Sequence, residues 1–303
     1  SGTSGQTTGN NNTVIGEKAA EVATSMANTT LVGYRAGHST TTGSDNVAIG
    51  YEALKANTTG NYNTVLGSEA LEQNTTASRN TAIGWDALGD CVTGENNVAV
   101  GYEALKAKTG GQCVGIGRHA GGGAAGNGEV FVGYYAGAAN TANDTVGIGY
   151  NAVNDNTSGA DNVGVGAYAL ASNTTGATNT AVGNYALDAN TTASNNTAIG
   201  YLSSSANTTG DLNVTVGAHS NTTGTTASAC TAVGVSALRY LGTGAHNTGI
   251  GRSALHSSVS GSTGQLTGNY NTAVGSNALF ENTSASSNTA VGYYALNANT
   301  TAA

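Results

Sequence analysis

The sequence predicts an all-β fold, a parallel β-solenoid or β-roll of about seventeen coils of seventeen residues each. Three observations predict it: a glycine recurring at a fixed period, a β-branched or leucine residue in front of every one of those glycines, and turn chemistry between them. The glycine falls at Gly16, Gly33, Gly50, Gly67, Gly84, Gly101, Gly117, Gly133, Gly149, Gly166, Gly183, Gly200, Gly217, Gly234, Gly251, Gly275 and Gly292. Of the sixteen intervals, twelve are seventeen residues, three between Gly101 and Gly149 are sixteen, and one, Gly251 to Gly275, is twenty-four. The expected domain organisation is therefore a single repeat array over 1–303. The first nine residues read as the tail of a preceding repeat and the last seven as part of one, as expected of a piece of a longer protein or of a unit that stacks on copies of itself.

Each repeat is counted from its glycine as position 0. Position −1 is Val, Ile or Leu in all seventeen repeats, −3 is Thr or Val throughout, and −2 is mostly Ala or Gly. Alternate residues of a strand face opposite ways, so −3 and −1 make a β-branched face and −2 a face of small residues. The expectation is that both faces are buried, the β-branched one inside the coil and the small one against neighbouring chains, which makes a homotrimer the economical assembly.

After the glycine, +1 is often aromatic (Tyr34, Tyr51, Trp85, Tyr102, Tyr134, Tyr150, Tyr201, Tyr293). Position +3 is Ala in fifteen repeats and +4 is most often Leu, a pair that closes the core from the opposite side. The rest, typically ANTTGNY or ANTTASN, is Asn, Thr, Gly and Ser, the residues of turns. Two short strands and two turns per coil are expected. At about 4.8 Å per coil, such an array is a rod on the order of 80 Å long.

Asn at −4, in twelve repeats, is expected to form an amide ladder, each side chain bonding to the coils above and below. With the repeat glycine it defines the candidate structural ladder: Asn46 and Gly50, Asn63 and Gly67, Asn80 and Gly84, Asn162 and Gly166, Asn179 and Gly183, Asn196 and Gly200. Cys113 and Cys230 stand at −4 and Cys91 elsewhere; they read as small side chains filling a ladder slot, since three cysteines make no disulfide framework.

Composition excludes several functions. Net charge is −8 and the nine Lys and Arg residues are scattered, so nucleic acid is not an expected partner. No apolar run approaches the length of a membrane span, and a targeting segment, if the protein has one, lies outside this sequence. The five histidines (His38, His119, His219, His246, His256) are spread along the array, and none shares with an acid and a nucleophile the short spacing of a site, so no catalytic, cofactor or metal site is expected and the chain reads as no enzyme. Threonine rows raise ice binding, but −3 switches to Val in seven repeats, which breaks the regular array that ice requires.

The unit N-[TV]-A-[VI]-G followed by Y-x-A-L resembles the head repeats of trimeric autotransporter adhesins and the similar NTAIGYxAL arrays of tail-fibre-like proteins of phages and marine microbes. The resemblance implies a left-handed β-roll, three chains side by side, exposed on a cell or virion surface and serving attachment. The family repeat is shorter; the extra length here sits in the Asn-Thr-Thr turn.

The expected function is thus a rigid extracellular fibre segment, adhesin head or tail-fibre shaft, that holds a surface receptor, glycan or protein, by many weak contacts. The competing expectation is a purely structural filament whose units associate end to end. Two further candidate sites follow from the turns. Asn28, Asn57, Asn74, Asn173, Asn190, Asn207, Asn221 and Asn299 each open an Asn-Thr-Thr glycosylation acceptor, or else cap their own turn. The seven extra residues before Gly275 must loop out near 257–264, making Ser257, Ser258, Val259, Ser260, Gly261, Ser262, Thr263 and Gly264 a candidate contact loop. Where Gly121 and Gly137 replace Leu in the sixteen-residue coils, the core is expected to narrow or kink.

Overall fold

The computed structural model describes residues 9–123, 126–257 and 265–300. It is a parallel β-solenoid without a helix among those residues, and the chain divides into two compact units, 1–145 and 146–303. In the first unit eight three-residue strands, from Thr13–Ile15 to Val130–Val132, pair in order and in parallel. In the second unit nine strands, from Val146–Ile148 to Thr289–Val291, do the same.

The register follows the repeat. Val47 pairs with Thr64 across a seventeen-residue coil, Val98 with Val114 across a sixteen-residue one, and Thr248 with Thr272 across the coil that carries the insertion. The sixteen-residue coils lose their residue in the turn: five steps separate Asn57 from Tyr62, four separate Lys108 from Gln112. Deletion and insertion therefore leave the strand ladder in phase.

Among the described residues each coil holds one strand, not two. The segment after the glycine is a run of turns in which +2 and +4 adopt positive φ, as at Glu52 (52°) and Leu54 (55°). Its N–H groups alternate: Lys55 and Asn57 bond within the coil to the carbonyls of Glu52 and Leu54 at 3.3 Å, while Leu54 and Ala56 bond to Ala70 and Glu72 of the next coil at 3.0 and 2.9 Å. Left-handed backbone costs a non-glycine residue about 1–2 kcal/mol, and an extended strand avoids that cost. It cannot, however, bend tightly enough to bring Ala and Leu back over a core only one strand wide.

The repeat glycine answers a different demand. Gly50 has φ of 147°, and a Cβ there would lie 2.2 Å from the carbonyl oxygen of Gly67. Within each unit successive coils lie on one another at this corner, so a side chain there meets the backbone of the next repeat glycine, as at Gly16, Gly84, Gly166 and Gly234.

Candidate functional site

The faces of the strand are the reverse of those expected. Position −2 points into the coil: Ala48, Ala82, Ala99, Ala181 and Ala198 are fully buried, and the middle residue is buried in every strand from Thr30–Val32 onward. Positions −3 and −1 point out. Ile49 is 38% exposed, Leu66 48% and Ile199 40%. The small-residue face is thus inside its own coil and unavailable to neighbouring chains.

The cause is volume. The interior already holds Ala +3 and Leu +4, and a Cβ on Gly115 or Gly164 at −2 would come within 2.6 Å of Leu105 Cγ or Val153 Cγ2. The largest side chains at −2, Leu31 and Phe131, stand where +4 is glycine. Leu31 sits over Gly37, and Phe131 over Gly137, whose added Cβ would meet the Phe131 ring at 2.2 Å. The same ring lies 2.9 Å from a Cβ built on Gly121. The sixteen-residue coils are therefore filled by Phe131 at the point where narrowing was expected.

Two columns of asparagine flank the core. At −4, Asn46 Oδ1 accepts the backbone N–H of Asn63 at 2.9 Å, and its Nδ2 donates to the Gly60 carbonyl at 2.8 Å. Asn63, Asn80, Asn179 and Asn213 repeat both bonds, and Asn162 does the same to Asn179 and Gly176. Asn196 Oδ1 accepts the N–H of Asn213. The side chain thus bonds to the backbone of the following coil, and in the second unit the expected amide-to-amide bonds join it: Asn179 Nδ2 donates to Asn162 Oδ1 and Asn196 Nδ2 to Asn179 Oδ1 at 3.2 Å, Asn271 to Asn247 and Asn288 to Asn271 at 3.1 Å.

A second amide-to-amide ladder lies at +7, among residues that also read as glycosylation acceptors. Asn74 Nδ2 donates to Asn57 Oδ1 at 2.9 Å, Asn173 to Asn156 at 2.8 Å, Asn190 to Asn173 at 2.7 Å and Asn207 to Asn190 at 3.3 Å. Asn57 and Asn74 also cap their own turns, accepting the N–H of Gly60 and Ala77 at 3.1 and 3.0 Å. Asn57, Asn74, Asn173, Asn190 and Asn207 are buried, so a sugar on Nδ2 has no room in the folded coil. Asn221, at +4, is buried too, beside a polar layer of Ser203, Ser204, Thr215 and Ser220, and both of its amide atoms lack a hydrogen-bond partner. Asn28 is exposed, with Nδ2 on Asp45, and Asn299 is half-buried in the last described coil.

All three cysteines replace ladder asparagines and meet the same carbonyls. Cys91 Sγ lies 3.6 Å from Gly94 O, Cys113 3.7 Å from Gly126 O and Cys230 3.5 Å from Gly244 O. Burial raises each thiol, Cys113 to about 11. Lys108 at +7 and Glu129 at −4 occupy the two columns with a buried ion pair.

Outside the turn run, rings stack from coil to coil. Tyr34 and Tyr51 have centroids 5.4 Å apart, Trp85 and Tyr102 4.8 Å, Tyr168 and Tyr185 5.1 Å. The +1 rings stay half exposed, Tyr51 and Tyr201 at 49%. Charges at +2 and +5 pair beside them: Lys55 with Glu52 and Glu72, Lys106 with Asp86 and Glu103. The histidines are dispersed, His38 on Glu21, His119 on Glu103, His246 stacked on Tyr270 and His256 on Phe280.

Of the candidate contact loop only Ser257 is described, and it is buried; Ser258 to Gly264 lie outside the described residues. The chain resumes where Leu266 bonds to Tyr240 and Gly242, with Leu241 and Leu266 both buried. Among the described residues no helix is long and apolar enough to cross a membrane. Neither known protein-family models nor curated proteins give a match to this chain.

Proposed function

We propose that this chain is a rigid segment of an extracellular attachment fibre, associating as a homotrimer through the outward β-branched face of its coils. The observation that carries this reading is the column of exposed Val, Ile and Leu at −1 beside Thr and Val at −3, repeated in each unit. Contiguous apolar surface of this kind is an interaction surface rather than a solvated one. The homotrimer follows the family resemblance, with the chains meeting on this face instead of on the alanine face.

Attachment to a glycan or protein receptor falls to the column just past the repeat glycine, where half-exposed tyrosines and Trp85 offer flat amphipathic surfaces at every few coils. Each contact is weak and repetition supplies avidity. In this reading the chain is not an enzyme and uses no cofactor. Light scattering on purified protein tests the assembly, and binding of the fibre to immobilised glycans and cell surfaces, with Trp85→Ala and Tyr102→Ala for comparison, tests the contact edge. A monodisperse monomer with no surface binding overturns both parts. Indefinite fibres in electron micrographs replace this reading with the end-to-end filament.

A further inference from the structure

Three residues depart from the ladder together. Lys108 and Asn140 both hold position +7, two coils apart, and Glu129 holds −4 between them. All three are fully buried. Lys108 Nζ contacts Glu129 Oε2, and Asn140 Nδ2 donates to Glu129 Oε1 at 2.6 Å. One carboxylate thus holds an amine and a carboxamide side by side, away from water. Asn140 Nδ2 is also fixed by the Ala142 carbonyl at 2.9 Å, and Cys113 Sγ lies 3.5 Å from Glu129 Oε2.

An ion pair is a costly occupant of two columns that neutral asparagines fill elsewhere, because desolvating two charges offsets much of their attraction. Equivalent positions two coils apart are separated by roughly 10 Å, a gap that Lys108 and Asn140 span through the two oxygens of Glu129. The arrangement is that of an amine, an acyl acceptor and a proton carrier.

We propose that Lys108 and Asn140 are joined by an intramolecular amide bond between Nζ and Cγ, formed with Glu129 as proton carrier. Glu129 takes a proton from Nζ, and the freed lone pair attacks Cγ of Asn140. Glu129 passes that proton to Nδ2, the tetrahedral centre collapses with cleavage of the Cγ–Nδ2 bond and Nδ2 leaves as ammonia, while Glu129 accepts the second proton that Nζ sheds and ends as the neutral acid, leaving one hydrogen on the new amide. One C–N bond forms and one breaks, and no oxidant, reductant or added reactant is needed. Burial raises the Glu129 carboxyl above its usual range, which favours its proton-bearing form, and the dry site keeps water from competing for Cγ. The product is a covalent staple across the sixteen-residue coils of the first unit.

Intact mass of the full-length denatured chain tests the proposal. The expected mass is that of the sequence less one ammonia, with a branched peptide joining Lys108 to Asn140 in a digest. Lys108→Arg and Glu129→Gln are expected at their full sequence masses, without the branched peptide. A wild-type chain at full mass overturns the proposal. So does a loss that maps to a cyclised asparagine elsewhere, or a loss of one water joining Lys108 to Glu129.

Discussion

Asn74 donates its side-chain N–H to the amide oxygen of Asn57 one coil away, at 2.9 Å, and at the same time caps its own turn through Ala77. One buried amide therefore ties a coil to its neighbour and closes the coil it belongs to.

Removing that amide is costly. Asn74→Ala leaves the buried Ala77 N–H without this acceptor and Asn57 Oδ1 with the Gly60 N–H alone, and an orphaned buried polar group costs about 1–3 kcal/mol. Asn28→Ala, at an exposed turn, is expected to change stability by a few tenths of a kcal/mol at most, in keeping with surface substitutions. Urea titration of the two variants makes the comparison. Mass spectrometry of protein from a glycosylating host is expected to find Asn57, Asn74, Asn173, Asn190 and Asn207 bare.

The Phe131 and Gly137 pair is exchangeable as a unit. Phe131→Ala is expected to cost about 3–5 kcal/mol by leaving a cavity, and Gly137→Leu alone clashes with the ring. The double variant rebuilds the Ala and Leu arrangement of other coils, where leucine tolerates the same positive φ, as at Leu54 (55°) against 61° at Gly137. A double-mutant cycle is expected to show strong favourable coupling; additive losses contradict the packing described.

Asp188 gives the second unit a pH dependence of defined sign. Burial, partly offset by the backbone N–H groups of Asp188 and Ala189, raises its carboxyl to about 6 from an ordinary 3.8, and its Oδ1 has no hydrogen-bond partner. The folded chain holds this proton more tightly than the unfolded one. The contribution to stability is therefore greatest below about pH 4 and is lost as pH climbs to about 6. Asp188→Asn is expected to raise the melting temperature at pH 7, to leave it nearly unchanged at pH 4, and so to flatten the difference between them.

The period, the parallel ladder and the turn positions were legible because each is written as a residue type at a fixed interval. Which strand face turns inward was not, because alternation gives two faces and no sign. The sign lay in a relation between positions: Leu31 with Gly37, Phe131 with Gly137 and Val14 with Ala20 each trade bulk between −2 and +4, as residues sharing one cavity do. Val65 with Leu71 departs from that trade. The second strand was over-read from the Ala and Leu at +3 and +4, since residues such as Glu52 and Leu54 give no local sign that they adopt a left-handed backbone. The +7 asparagines carried a true signal, recurrence in phase with the glycine, that the acceptor motif concealed.

The outward β-branched face is the centre of this account, and the mass of the assembly in solution tests it most directly. Multi-angle light scattering is expected to give three times the 29.6 kDa of one chain for the native protein, and a single chain mass, with unchanged circular dichroism, for a variant carrying Ile49→Lys, Ile83→Lys and Ile116→Lys. A native protein that runs as a single chain, or a variant that stays trimeric, contradicts it.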